Sequence, residues 1–161
     1  MRLTLVHPCI GRRVGQPYIR TWQMEPLAPA TLAGLTPKGS GIDVRFYDDR
    51  TETIPYDEPT DLVAMSVETY TARRSYQIAS EFRRRGVPVV MGGFHPTLVP
   101  DEASEYAEAI VIGEAEGVWR RVLDDFGRRQ SRLSLLREQP RQVLYMRLAA
   151  CSSVVRYRQG Q

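Results

Sequence analysis

The run VPVVM at residues 87–91 stops abruptly at Gly92-Gly93, and that stop limits what the chain can fold into. Val87, Val89, Val90 and Met91 are apolar and rich in β-branching, the pattern of a strand covered on both faces in a parallel sheet. The two glycines have no Cβ, so the backbone there reaches conformations closed to other residues and a second group can approach it closely. His95, Pro96 and Thr97 then place a ring, a fixed φ and a hydroxyl just past the strand's carboxyl end. In an open parallel sheet, that end is where ligands bind.

Four other runs read as strands. Residues 2–6 (RLTLV) end at His7-Pro8, and residues 43–47 (DVRFY) run into Asp48, Asp49 and Arg50. Residues 62–67 (LVAMSV) carry Ser66 near their end, with Glu68-Thr69 beyond, and residues 109–112 (AIVI) stop at Gly113-Glu114. Between them the pattern predicts a long ordered loop over 8–24, a short helix over 26–35 and a proline-punctuated loop over 51–60. An amphipathic helix is expected over 71–85, with Ala72, Tyr76, Ala79 and Phe82 on one stripe and Gly86 closing it. Pro100 opens another helix with Asp101 and Glu102 in its first turn, and Val118, Val122 and Phe126 mark a last one ending near Gly127. Strands alternating with helices imply right-handed βαβ units. Residues 1–127 are therefore expected to form an α/β domain, a flavodoxin-like (Rossmann-like) doubly wound five-stranded parallel sheet. Residues 128–161 have no clean period beyond a helix over 133–148 broken at Pro140, and read as a basic tail, linker or point of truncation.

Composition sets bounds. An apolar share of 42% and a charged share of 25% are ordinary for a globular chain. No apolar run approaches spanning length and no secretory signal opens the chain, so the expectation is a cytoplasmic protein without a membrane span. Cys9 and Cys151 are the only cysteines, too few for a disulfide framework. Residues 1–118 carry 12 Lys and Arg against 16 Asp and Glu, whereas residues 119–161 carry 10 against 3. The basic balance is thus a property of the tail; no aromatic-basic interleaving accompanies it, and no nucleic-acid partner is expected.

With Ser66, Gly92-Gly93, His95-Pro96-Thr97 and Gly113-Glu114 in place, the chain resembles the cobalamin (vitamin B12)-binding N-terminal domain of cobalamin-dependent radical S-adenosylmethionine (SAM) enzymes, among them methyltransferases and ring cyclases. MGGFHPT at 91–97 followed by VIGEAEG at 111–117 carries the likeness. The resemblance implies that the nucleotide tail of cobalamin slides between strand ends. Ser66, Gly92 and Gly93 would line that slot, the hydroxyl facing the benzimidazole nitrogen. Val67, Glu68, Thr69, His95, Pro96 and Thr97 would form its walls, and His7, Asp48, Gly113 and Glu114 would face the corrin.

Two departures shape the expectation. Family members that replace the lower cobalt ligand use Asp-x-His-x-x-Gly after the first strand; here His7-Pro8-Cys9-Ile10-Gly11 lacks the aspartate and misplaces the glycine. Base-off cobalamin without a protein ligand is expected, with no metal-ligating and no catalytic side chain in this chain. Cys-x-x-x-Cys-x-x-Cys is absent, so an iron–sulfur cluster and SAM would belong to a radical SAM catalytic domain supplied in cis or in trans. Blander readings stand beside these: a hydrogen-bonded loop role for His95, a corrin-amide or turn-capping role for Asp48-Asp49, solvated or amide-bonding roles for Glu68 and Glu114, a quiet thiol for Cys9. The alternative function is a cofactor-free receiver-like or interaction domain of the same fold, although Lys38 is the only lysine and no receiver-type lysine follows the last strand. A nucleotide-using enzyme ranks last, because Gly-x-Gly-x-x-Gly and the phosphate loop are both missing.

Overall fold

The computed structural model describes residues 1–11, 25–133 and 154–157. The parallel strands are β1 (Arg2–His7), β2 (Asp43–Asp48), β3 (Leu62–Ser66), β4 (Val89–Gly92) and β5 (Ala109–Ile112). A last strand, β6 (Val154–Tyr157), pairs antiparallel with β5. The order β2-β1-β3-β4-β5-β6 places β1 between β2 and β3, the reversal typical of a flavodoxin-like α/β fold. The helices are α1 (Leu27–Leu35), α2 (Ala72–Arg84), α3 (Phe94–Leu98), α4 (Pro100–Ser104) and α5 (Trp119–Leu133).

Successive residues of a strand point to opposite faces, so a strand buried twice must be apolar throughout. Leu3, Leu5, Leu62, Ala64, Val90, Ala109 and Val111 face α1 and α5, where Trp119, Val122, Leu123 and Phe126 complete one core layer. Val6, Val63, Met65, Val89, Met91 and Ile110 face the other way, onto Ile78, Ala79 and Phe82 of α2 and Ala103 of α4. No helix joins β2 to β3. Instead the connection tucks Ile54, 2% exposed, into the α2 layer and lays Tyr56 against Phe82 with ring centroids 5.0 Å apart. Glu108 ties the layers at the other end, accepting the Val89 N–H at 2.7 Å and pairing with Arg83 at 2.9 Å.

Three local expectations change. The helix expected to end near Gly127 runs through it to Leu133, because a single glycine costs a helix only about 1 kcal/mol. The tail is not wholly outside the fold, since β6 extends the sheet. Residues 94–98, where His95 reads from the sequence as a hydrogen-bonded loop residue, form α3, in which Pro96 is tolerated because the first turn of a helix needs no amide donors. Residues 12–24 of the long loop expected over 8–24, and the helix expected over 133–148 apart from Leu133, lie outside the described residues.

Among the described residues no helix is long and apolar enough to cross a membrane. Phe82→Ala should lower the unfolding free energy by about 3–5 kcal/mol, since the ring is 1% exposed and fills the α2 layer. The check is a urea titration, in which the midpoint falls at unchanged slope.

Candidate functional site

Two clusters of different character sit at the carboxyl ends of the strands. The first is ionic and belongs to β1 and β2, where His7 and Asp48 are register partners. Asp48 receives a fork from Arg50, with Nη2 to Oδ2 at 2.7 Å and Nε to Oδ1 at 2.9 Å. Asp49, 1% exposed, receives a second fork from Arg74 of α2 at 2.7 and 2.8 Å, and the Cys9 N–H at 3.2 Å. Burial works to raise both carboxyls, but the guanidinium bonds outweigh it and hold both below the usual range. Burial, helped by Asp49, pushes the Cys9 thiol up to about 11, so it stays a thiol at neutral pH. Burial and then Arg50 lower His7, and its Nδ1 is buried without a hydrogen-bond partner among the described residues. No group of three or more His, Cys, Asp or Glu residues is arranged to hold a metal ion among the described residues.

The second cluster is mainly apolar, with the exposed Glu114 and Glu116 at its outer edge. Ser66 and Gly92 are register partners at the ends of β3 and β4. Beside them a cavity of about 160 Å³ opens between the sheet and helices α1 and α5, with Gly93, Gly113 and Glu114 at its rim. Its inner wall is apolar, including Ala64, Val90, Val111, Leu32 and Trp119. The Trp119 indole is locked by donating to Thr36 Oγ1 at 3.0 Å. Ser66 Oγ makes no hydrogen bond among the described residues, so a hydroxyl with both donor and acceptor capacity stands at the mouth.

The glycines differ in what they permit. Gly93 has φ +97°, and a Cβ there would stand 2.9 Å from Ser66 Oγ and 2.9 Å from the Val67 amide nitrogen. Neither the conformation nor the space admits a side chain. Gly92 has an ordinary φ, and its Cβ would meet Val111 Cβ at 3.4 Å. The pair is braced from behind: Val67 N–H donates to Gly92 O at 2.8 Å, and His95 N–H donates to Val67 O at 3.0 Å. Thr97 Oγ1 donates to Gly93 O at 2.8 Å and accepts the Gly113 N–H at 3.1 Å, closing β4 onto β5.

Of the residues singled out from the sequence, Ser66, Gly92, Gly93, Gly113 and Glu114 share this cavity. Val67 is fully buried behind it, and Thr97 clasps its rim. Glu68 and Thr69 belong to the turn into α2, where Thr71 Oγ1 accepts the Glu68 N–H at 3.1 Å. Pro96 and His95 are buried beneath α3, the imidazole Nε2 lying 2.9 Å from Tyr76 Oη of α2. His7 and Asp48 stand at the ends of β1 and β2, beyond β3 from Gly92. The α1 and α5 wall was missed; Ala28, Thr31 and Leu32, one helix turn apart, carried a signal for it.

No protein-family model matches the chain. Over 102 residues it is 42% identical to bacteriochlorophyllide d C-8(2)-methyltransferase of Chlorobaculum tepidum, an alignment covering 62% of this chain and 22% of that protein. Over 89 residues it is 40% identical to bacteriochlorophyllide d C-12(1)-methyltransferase of the same organism, covering 54% of this chain and 20% of the relative. The chain thus spans about a fifth of the length of the curated relatives it matches.

Two outcomes follow. Gly93→Ala should cost about 2 kcal/mol or more, whereas Gly92→Ala should change stability by less than about 1 kcal/mol; chemical denaturation separates them. Asp49 contributes stability that is present above its unfolded pKa near 4 and is lost as pH falls through the lower folded value. Asp49→Asn should therefore lower stability at pH 7 by about 3 kcal/mol and leave a shallower acid limb, and an unchanged limb in a pH series of melts would contradict this assignment.

Proposed function

We propose that this chain is a corrinoid-binding module that holds cobalamin at the carboxyl ends of β3, β4 and β5. The observation that carries the reading is the slot beside Gly92 and Gly93: apolar at its inner wall, about 160 Å³ in volume, with a serine hydroxyl at its mouth that makes no hydrogen bond among the described residues. An apolar cavity of roughly 150 Å³ takes an aromatic ring such as benzene, so the space suits the uncharged base of a nucleotide tail and is too small for a macrocycle. Ser66 would hydrogen-bond the base, Gly92 would leave room for it, and Gly113 and Glu114 would border the corrin. Thr97 and Val67 act through the rim they hold. His7 and Asp48 lie on the corrin side in this reading, Asp48 kept ionised by Arg50.

Similarity to two bacteriochlorophyllide methyltransferases supports methyl transfer as the chemistry of a parent enzyme. When bound, cobalamin supplies a cobalt centre able to carry a methyl group; the part of this chain is to bind and orient it. Base-off binding without a protein ligand is the form proposed; His95 Nε2 is engaged by Tyr76, and His7 Nδ1 is buried. An iron–sulfur cluster and SAM are assigned to a radical SAM domain in cis or in trans, because this sequence has only Cys9 and Cys151. A cofactor-free receiver-like role is less well supported, as Asp48 and Asp49 are both committed to arginines.

The test is a visible-absorption titration of the purified chain with hydroxocobalamin, followed by gel filtration. Colour should travel with the protein and show a base-off spectrum. Ser66→Tyr should fill the slot and raise Kd about tenfold or more at an unchanged melting temperature. A wild-type chain that elutes colourless from millimolar hydroxocobalamin would remove the reading.

A further inference from the structure

The helix that follows Gly93 of the slot is poorly equipped to hold its own place. α3 has five residues, far fewer than an autonomous helix needs, and follows the left-handed Gly93. Two of its larger side chains face solvent, Phe94 at 61% and Leu98 at 60% exposure. Its position must come from tertiary ties. Thr97 supplies one, to Gly93 and Gly113. The other is His95, 8% exposed, whose amide donates to Val67 O while its ring meets Tyr76 Oη at 2.9 Å.

Tyr76 is a firm anchor. It belongs to the 13-residue helix α2 and stacks on Tyr106 at 4.0 Å between centroids and 10° between planes. Burial raises its hydroxyl above the usual range, so it remains protonated. Glu102 of α4 lies 3.7 Å from His95 Nε2, and its carboxylate also bonds the Tyr76 hydroxyl. The slot opens mainly on the α1 and α5 side, whereas the imidazole packs against α2; His95 therefore does not line it.

We infer that His95 is a positioning residue, which through Tyr76 seats α3 and so fixes Gly93 against the end of β3 and sets the width of the slot. This rests on the corrinoid reading only for its effect on affinity. The tie itself is a property of the ligand-free chain.

The experiment compares wild type, Tyr76→Phe, His95→Ala, His95→Gln and the double variant Tyr76→Phe/His95→Ala. Amide hydrogen exchange over residues 92–99 and 113 is measured without ligand, and hydroxocobalamin Kd by absorption. Tyr76→Phe deletes one oxygen and keeps the ring stack, so it should fold even where His95→Ala does not. Exchange over these residues and Kd should each rise about threefold to tenfold in Tyr76→Phe and in His95→Ala. The double variant should be no worse than His95→Ala, and His95→Gln, which keeps a hydrogen-bonding group, should recover much of the loss. Phe82→Ala, a core change, should lower the melting temperature and leave Kd alone. Unchanged exchange over residues 92–99 in Tyr76→Phe would overturn the inference. So would raised exchange with wild-type Kd. A wild type that binds no hydroxocobalamin would instead remove the corrinoid reading, and exchange alone would then decide the role of His95.

Discussion

Two backbone segments meet at Gly93 more closely than any side chain allows, and the carboxyl end of the sheet depends on that approach. Val67 donates to Gly92 on one side and accepts from His95 on the other, so the exits of β3 and β4 are laced together by main-chain bonds of 2.8 and 3.0 Å. Such a lace requires the left-handed φ of +97° at Gly93. Once it forms, α3 has a starting direction, Thr97 reaches Gly113, and the cavity beside Ser66 acquires a fixed rim.

Charge and apolarity are segregated along the same edge. At β1 and β2, two aspartates are each forked by an arginine, and the ionic groups satisfy one another. At β3 to β5, backbone and hydroxyl groups brace the rim and the inner wall is hydrocarbon. The carboxylates that reach this cavity, Glu114 and Glu116, are exposed, and the buried Asp49 stands two strands away. The bacteriochlorophyllide methyltransferases similar to this chain over 89 to 102 residues share identity with it over a segment of this scale.

Much of this was readable from residues alone. Strands β3, β4 and β5 appear in the sequence as short apolar runs, because a strand covered on both faces has no polar alternation to disguise it, whereas the edge strand β2 is largely exposed and reads as DVRFYD. Ser66 and the glycine pair were legible for a related reason: polar and Cβ-free residues stand out where apolar runs stop. Less legible were features that depend on partners distant in sequence. Nothing near Gly127 announces that α5 continues, and nothing in residues 154–157 shows that they pair with β5. His95 looked like a wall of the slot because it is two residues from Gly93; the ring turns instead to Tyr76, 19 residues earlier.

The sequence by itself determined the class of fold and where the apolar runs stop, since these follow from local apolar pattern; that Gly93 and not Gly92 excludes a side chain came from the structure. Only the tertiary structure decided which of the candidate residues share a cavity and which hold it in place. Side-chain direction is set by packing against elements remote in the chain. Ser66 and Gly113 meet across three neighbouring strands, while His95 and Asp48, each close in sequence to a strand end, are drawn off by Tyr76 and Arg50.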